Sequence, residues 1–248
     1  MLDKRVKDGV IRRHVDKWLK AGVFEEGNVK YEEEGTPQGG VISPLLSNIY
    51  LHNVADMWYN EIAPLLKGKS FMVRFADDCI LGFETQEDAQ RVMNVIGKRF
   101  AKYGLTLHPE KTRLIEFNPG RGGNTFDFLG FTHYWGQSRK GTPVVKRRTS
   151  RKKLTKAIKR TKDWMVKNRH QKVGTIIYAI NLKLKGHYAY YGITFNMIGI
   201  VKFFEAIKRI LFKWLNRRGG KRMNWDHFSR LISQYVPLAT PRIVHSYH

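Results

Sequence analysis

Apolar positions recur at helical spacing through the first segment, where Val6, Val10, Ile11, Val15, Trp18 and Leu19 share one face and Gly22 stands where a helix would end. Ser43-Pro44 suits an N-cap followed by a first helical position, and predicts a second helix from roughly Pro44 to Tyr59. The runs Phe71 to Phe75 and Cys79 to Phe83 are short and apolar and flank Ala76-Asp77-Asp78, a pattern that predicts a tight β-hairpin with two carboxylates at its tip. Thr85 with Asp88 resembles a capping box for a third helix through Ala89, Val92, Met93, Ile96 and Phe100, closed by Gly104. Leu105 to Leu107, Thr112 to Phe117 and Phe126 to Tyr134 read as further strands. The first half is therefore expected to be α+β.

From about Arg151 the period is helical, with Leu154, Ile158 and Trp164 in one helix, Ile176 to Leu184 in the next and Val201 to Leu215 in a third. Residues Gly136 to Ser150, rich in Gly, Ser and basic side chains, join the halves. The expected division is 1–135, a basic linker or hairpin 136–150, and an all-α unit 151–248.

Charge separates the halves more sharply than hydropathy. Residues 1–135 hold 18 Lys+Arg and 18 Asp+Glu of the chain's 45 and 21, leaving 27 basic and 3 acidic side chains in residues 136–248. The whole net charge of +24 lies in the second half, where Asp163, Glu205 and Asp226 are the only acids. A merely soluble surface mixes both signs, so this half is expected to bind a polyanion, and nucleic acid fits best. With 248 residues and 42% hydrophobic content the chain is long enough to bury a core, so disorder is not the expected state. The lone Cys79 excludes an internal disulfide and a Cys-x-x-Cys zinc site. The N-terminus lacks a signal-peptide apolar run, and no stretch reaches the roughly 18 uninterrupted apolar residues of a membrane span. An intracellular, cytoplasmic protein with no membrane partner is expected.

Adjacent aspartates at a hairpin tip repel one another unless a cation neutralises them. Oxygen-only ligands suit Mg²⁺, and paired metals about 4 Å apart are one solution for nucleotidyl transfer. A solvated Asp-Asp turn is the plain alternative, and the dipeptide alone favours it.

The surroundings change that balance. Thr36-Pro37-Gln38-Gly39-Gly40-Val41-Ile42-Ser43-Pro44-Leu45-Leu46-Ser47-Asn48-Ile49-Tyr50-Leu51 resembles the palm block of group II intron reverse transcriptases that lines the incoming nucleotide. Phe75-Ala76-Asp77-Asp78 resembles the catalytic YADD box of that family. Gly104-Leu105-Thr106-Leu107-His108-Pro109-Glu110-Lys111-Thr112 and Phe128-Leu129-Gly130-Phe131 resemble its next two blocks, and Leu184-Lys185-Gly186-His187-Tyr188-Ala189-Tyr190-Tyr191-Gly192 is similar to its thumb, or maturase domain.

The resemblance implies a partial palm followed by a helical thumb, and RNA-directed DNA polymerase and intron maturase activity. By it Asp77 and Asp78 would bind Mg²⁺. Gln38, Gly39, Phe75 and Ala76 would contact the nascent base pair and nucleotide, and Lys111 would neutralise or protonate the leaving pyrophosphate, unless it is a surface lysine. Leu129 and Gly130 would grip the primer. Implied partners are group II intron RNA or other structured RNA, an RNA template, a DNA primer and deoxynucleoside triphosphates. The dense cluster Arg147, Arg148, Arg151, Lys152 and Lys153 is the expected RNA contact. Tyr188, Tyr190, Tyr191 and Trp214 are expected in the thumb core rather than as base-stacking platforms.

Two departures accompany the resemblance. Phe75 stands where the family usually has tyrosine, and the strand bearing the family's first catalytic aspartate has no counterpart upstream. The palm is thus expected to be a split β-α-β sheet lacking its first strand. The chain reads as the fragment of a polymerase completed by an N-terminal partner polypeptide, as a non-catalytic structured-RNA-binding splicing factor, or as a decayed mobile-element remnant.

Overall fold

The computed structural model describes residues 3, 6–20, 23–25, 28–30, 42–120, 123–218 and 222–246. It divides into two compact units, Met1–Ile115 and Glu116–His248. The division falls about twenty residues before the expected joining segment that begins at Gly136, because the strands around that point belong to one sheet of the second unit.

In the first unit, helix α1 spans Gly9–Lys20 and is capped by Asp8, whose Oδ1 accepts from the N–H groups of Val10 (2.7 Å) and Ile11 (3.1 Å). Of its apolar face only Val15 is buried. Strands β1 (Val23–Glu25) and β2 (Asn28–Lys30) pair antiparallel. The second helix is composite: α2 covers Ser43–Leu51, a π-helical turn covers His52–Asp56 and α3 covers Met57–Ile62. Ile42 is its N-cap, so Ser43 lies one position inside the helix rather than at the cap.

Strands β3 (Ser70–Phe75) and β4 (Asp78–Phe83) form the expected hairpin, in a register from Ser70↔Phe83 to Phe75↔Asp78. Helix α4 spans Gln86–Ala101 and is capped by Thr85, whose Oγ1 accepts from Asp88 N at 3.2 Å. Gly104, at φ +66°, ends it as expected, with Leu105 N donating back to Phe100 O at 3.0 Å. Val54, Ala55, Trp58 and Tyr59 from the composite helix, with Ala89 and Val92 from α4, are the buried apolar residues between these elements.

Leu105–Leu107 and Thr112–Phe117 are not strands. A short apolar run becomes a strand only where another backbone edge pairs with it, and none does so among the described residues.

The second unit opens with an antiparallel meander, β5 (Phe126–Phe128), β6 (Phe131–Gln137) and β7 (Pro143–Thr149). Ser150 then caps α5 (Arg151–Asn168), its Oγ accepting from Lys153 N at 3.4 Å. Helices α6 (Val173–Tyr191) and α7 (Met197–Asn216) follow, and α8 (Trp225–Ser233) adds a helix that the apolar period did not announce. Ile176, Ile180 and Leu184 of α6 meet Ile200, Phe203, Ile207 and Leu211 of α7 in one core that also takes in Met165, Phe228 and Ile232. Among the described residues no helix is long and apolar enough to cross a membrane.

Candidate active site and nucleic-acid interface

The two-residue turn Ala76-Asp77 closes the β3–β4 hairpin. Ala76 has φ +53°, a left-handed conformation that an L side chain resists, and Asp77 is not in that region. A hairpin turn with positive φ only at its first central residue ordinarily takes glycine there. Asp77 and Asp78 follow directly, both exposed, and neither carboxylate has a hydrogen-bond or ion-pair partner among the described residues. Phe75 is also exposed beside them.

The turn is braced from behind. Arg74 Nε and Nη2 donate to Asp56 Oδ1 and Oδ2, both at 2.6 Å, and Nη1 donates to Asn48 Oδ1 (3.0 Å) and to the Ala76 carbonyl (2.9 Å). Asp56 lies in the π-helical turn, where it also meets His52 Nδ1 at 3.1 Å. Hydrogen bonding from Arg74 holds the Asp56 carboxyl below the usual carboxylate range, against the opposing effect of partial burial. Arg74, Asp56 and Asn48 carried no sequence signal except an arginine inside an apolar run.

Two carboxylates with free oxygens suit a hard divalent cation, since Mg²⁺ commonly takes one or two protein carboxylates and completes its shell with water and phosphate. Among the described residues no group of three or more Asp, Glu, His or Cys comes together, so Asp77 and Asp78 are joined by no third ligand there. Lys111 is exposed in the turn His108–Thr112, and nothing joins it to the aspartate pair. Gln38 and Gly39 lie outside the described residues.

Leu129 (φ +49°) and Gly130 (φ +82°) form the two-residue turn between β5 and β6. With both central residues left-handed it is a type I′ turn, matched to strand twist. It is held by Tyr190 Oη donating to Leu129 O (2.8 Å) and by Ser150 N donating to Gly130 O (2.9 Å). A Cβ on Gly130 would stand 2.9 Å from Tyr191 Oη. Of the aromatic residues expected in the core, Tyr188 is buried and donates to Ala239 O, and Trp214 packs partly buried on the same cluster. Tyr190 is half exposed, but its ring stacks on Phe131 rather than standing free.

The basic cluster splits. Arg148, Arg151 and Lys152 line an open groove of about 770 Å³ between the sheet and α5, together with Lys156, Lys159, Thr155, Thr125, Asp127 and Thr132. Asp127, Thr132 and Arg148 form one cross-strand row, in which Thr132 Oγ1 donates to Asp127 Oδ1 at 2.5 Å. Arg147 pairs instead with His133, whose pKa is lowered by burial and secondarily by that guanidinium. The Lys153 stem packs near the Gly130 turn. Lys156 and Lys159 are groove cations that local density does not single out; one turn of helix beyond Lys152 and two turns beyond Arg151, they were legible only by helical spacing.

A sequence model described as reverse transcriptase (RNA-dependent DNA polymerase) matches residues 2–133, more than half the chain. The chain belongs to the reverse transcriptase family. The Ala76-Asp77 turn with its aspartate pair and the Leu129-Gly130 turn of this family member both lie inside the matched span. It is 43% identical over 54 residues to the group II intron-encoded protein LtrA of Lactococcus lactis, covering 22% of this chain and 9% of that protein. Similarity to protein YkfC of Escherichia coli is 33% over 170 residues, covering 56% of this chain and 42% of YkfC. Similarity to the telomerase reverse transcriptase of Oryzias latipes is 27% over 109 residues, covering 44% and 10% respectively. The chain thus spans less than half the length of these curated relatives.

Proposed function

We propose that this chain carries the aspartate hairpin of a group II intron type RNA-directed DNA polymerase, joined to a basic helical unit that holds structured RNA. The observation that carries the reading is the strained turn that leaves the Asp77 and Asp78 oxygens without protein partners among the described residues. Asp77 and Asp78 would hold Mg²⁺, which when bound neutralises triphosphate charge and favours the attacking hydroxylate. Phe75 and Ala76, with Gln38 and Gly39, would flank the incoming deoxynucleoside triphosphate. Lys111 would offset charge on the departing pyrophosphate. Leu129 and Gly130 would steady the DNA primer against the RNA template, since their turn is rigidly braced.

The first unit would be a split β-α-β palm and the second the thumb. β3 exposes Phe71, Val73 and Phe75 at 58%, 48% and 64% on one face of the hairpin, which supports a palm whose apolar face is covered by a further element, as from an N-terminal reverse transcriptase polypeptide. The five groove cations support intron RNA as the thumb's partner.

The 248-residue chain alone should give no primer extension with Mg²⁺, and extension should appear with a polypeptide supplying the third carboxylate. In that assembly Asp77→Asn should lower the rate by several orders of magnitude, because a neutral amide does not balance metal charge. Robust synthesis by the single chain, or near-normal synthesis by D77N, would refute the reading. The groove also supports a second reading, an RNA-binding splicing factor without DNA synthesis. In that case D77N leaves assisted splicing intact while groove variants abolish it.

A further inference from the structure

Arg74 spends its donors on two tasks. Its fork on Asp56 fixes the guanidinium to the π-helical turn, and the remaining nitrogen Nη1 reaches Asn48 and the Ala76 carbonyl at 2.9 Å. The Arg74 side chain is only 13% exposed and its bidentate fork on Asp56 is partly buried, which fixes the guanidinium plane, while the bonds from Nη1 to Asn48 and to the Ala76 carbonyl lie at the solvent edge. The carbonyl it holds belongs to the residue at φ +53°, immediately before the two aspartates. Relaxation of that φ would rotate the peptide joining Ala76 to Asp77 and re-aim both carboxylates.

We propose that Arg74 is a positioning residue: anchored on Asp56 and Asn48, it holds the Ala76 carbonyl and so keeps the strained turn in the conformation that presents Asp77 and Asp78. The inference rests on the reading of those aspartates as the metal carboxylates, but the clamp itself is a property of the turn. Lysine would not replace Arg74, because a single ammonium on a flexible stem cannot keep a bidentate carboxylate fork while bonding a separate carbonyl. Glycine at position 76 should make the clamp dispensable, because the positive φ is then unstrained.

Amide hydrogen exchange of residues 75–79 tests this in the 248-residue chain, with α4 amides reporting that the unit stays folded. Arg74→Gln should speed exchange at the turn about tenfold, Arg74→Lys at least about fivefold, and Arg74→Gln in the A76G background no more than about twofold. Turn protection in R74K equal to the parent overturns the proposal, because the pair would then serve only by its charge. An equal effect of R74Q with and without A76G overturns it as well, because Arg74 would not be acting on the strain. Should R74Q unfold the unit, R74K and its A76G double variant carry the same comparison. If the turn behaves as expected while D77N leaves synthesis intact, the clamp stands and the catalytic reading of Asp77 falls.

Discussion

Asn196 shows how much a single side chain decides here. It is fully buried; its Oδ1 accepts from Thr149 N (2.8 Å), and its Nδ2 donates to Thr149 Oγ1 (2.8 Å) and Tyr191 O (2.7 Å). It therefore fastens the end of β7 to the segment between α6 and α7. Asn196→Ala should destabilise the second unit by about 2–4 kcal/mol, because it strands buried backbone groups as well as removing bonds. Chemical denaturation measures this, and a loss below about 0.5 kcal/mol would show that water replaces the amide. Gly199 closes the same site, since a Cβ there would stand 2.3 Å from Asn196 Oδ1, so Gly199→Ala should also destabilise. The Asp77-Asp78 tip was legible because a turn is local; Arg74 with Asp56 and Thr149 with Asn196 were not, being pairs 18 and 47 residues apart.

At the scale of elements, α6 carries a histidine inside the core. His187 stacks on Phe203 at 3.7 Å and lies 4.6 Å from Tyr191, and its buried Nε2 has no partner. Burial pushes its pKa down to about 4. The unfolded value is near 6.5, so the fold favours the neutral ring: the contribution is complete above about pH 6.5 and is lost as pH falls toward 4. Allowing for residual solvation, the loss is on the order of 2 kcal/mol. His187→Phe should flatten the dependence of the second unit's melting temperature between pH 7 and 4, and an unchanged slope would assign it to other groups. On α5 and β7, the groove explains which cations should matter. Replacing Arg148, Arg151 and Lys152 with Gln should reduce the salt slope of RNA binding by up to about 0.9 per lost phosphate contact, and Arg147→Gln with Lys153→Gln should change it less. Equal effects from both sets would mean that total charge, not the groove, sets affinity.

At the scale of the whole molecule the chain is electrostatically two proteins, a balanced first half and a second half holding the entire +24. The compact units divide at Ile115 and Glu116, so a fragment 116–248 should fold cooperatively and bind structured RNA. If about six phosphates are contacted, its affinity should fall roughly 10³-fold between 50 and 200 mM salt. A fragment beginning at Gly136 removes β5 and most of β6, and with them the Gly130 carbonyl that Ser150 N bonds. It should keep its helical circular dichroism but melt at a markedly lower temperature than 116–248. Identical melting would show that the sheet is independent of the helices.

Sequence alone determined what depends on neighbours along the chain: the hairpin and its paired carboxylates, the α4 cap at Thr85, the helical period of α5 to α7, and the charge that selects a polyanion. The ordered blocks from Thr36 to Gly192 also carried the family. Tertiary structure decided whatever needs a partner distant in sequence. It denied strand status to Leu105–Leu107 and Thr112–Phe117, which find no edge to pair with among the described residues. It placed β5, β6 and β7 with the helical unit. It divided one dense basic cluster between a groove, a cross-strand pair and the neighbourhood of a turn. The physical reason is common to all three: a side chain's type and local spacing follow from the sequence, but which surface it faces is set by the element that packs against its own.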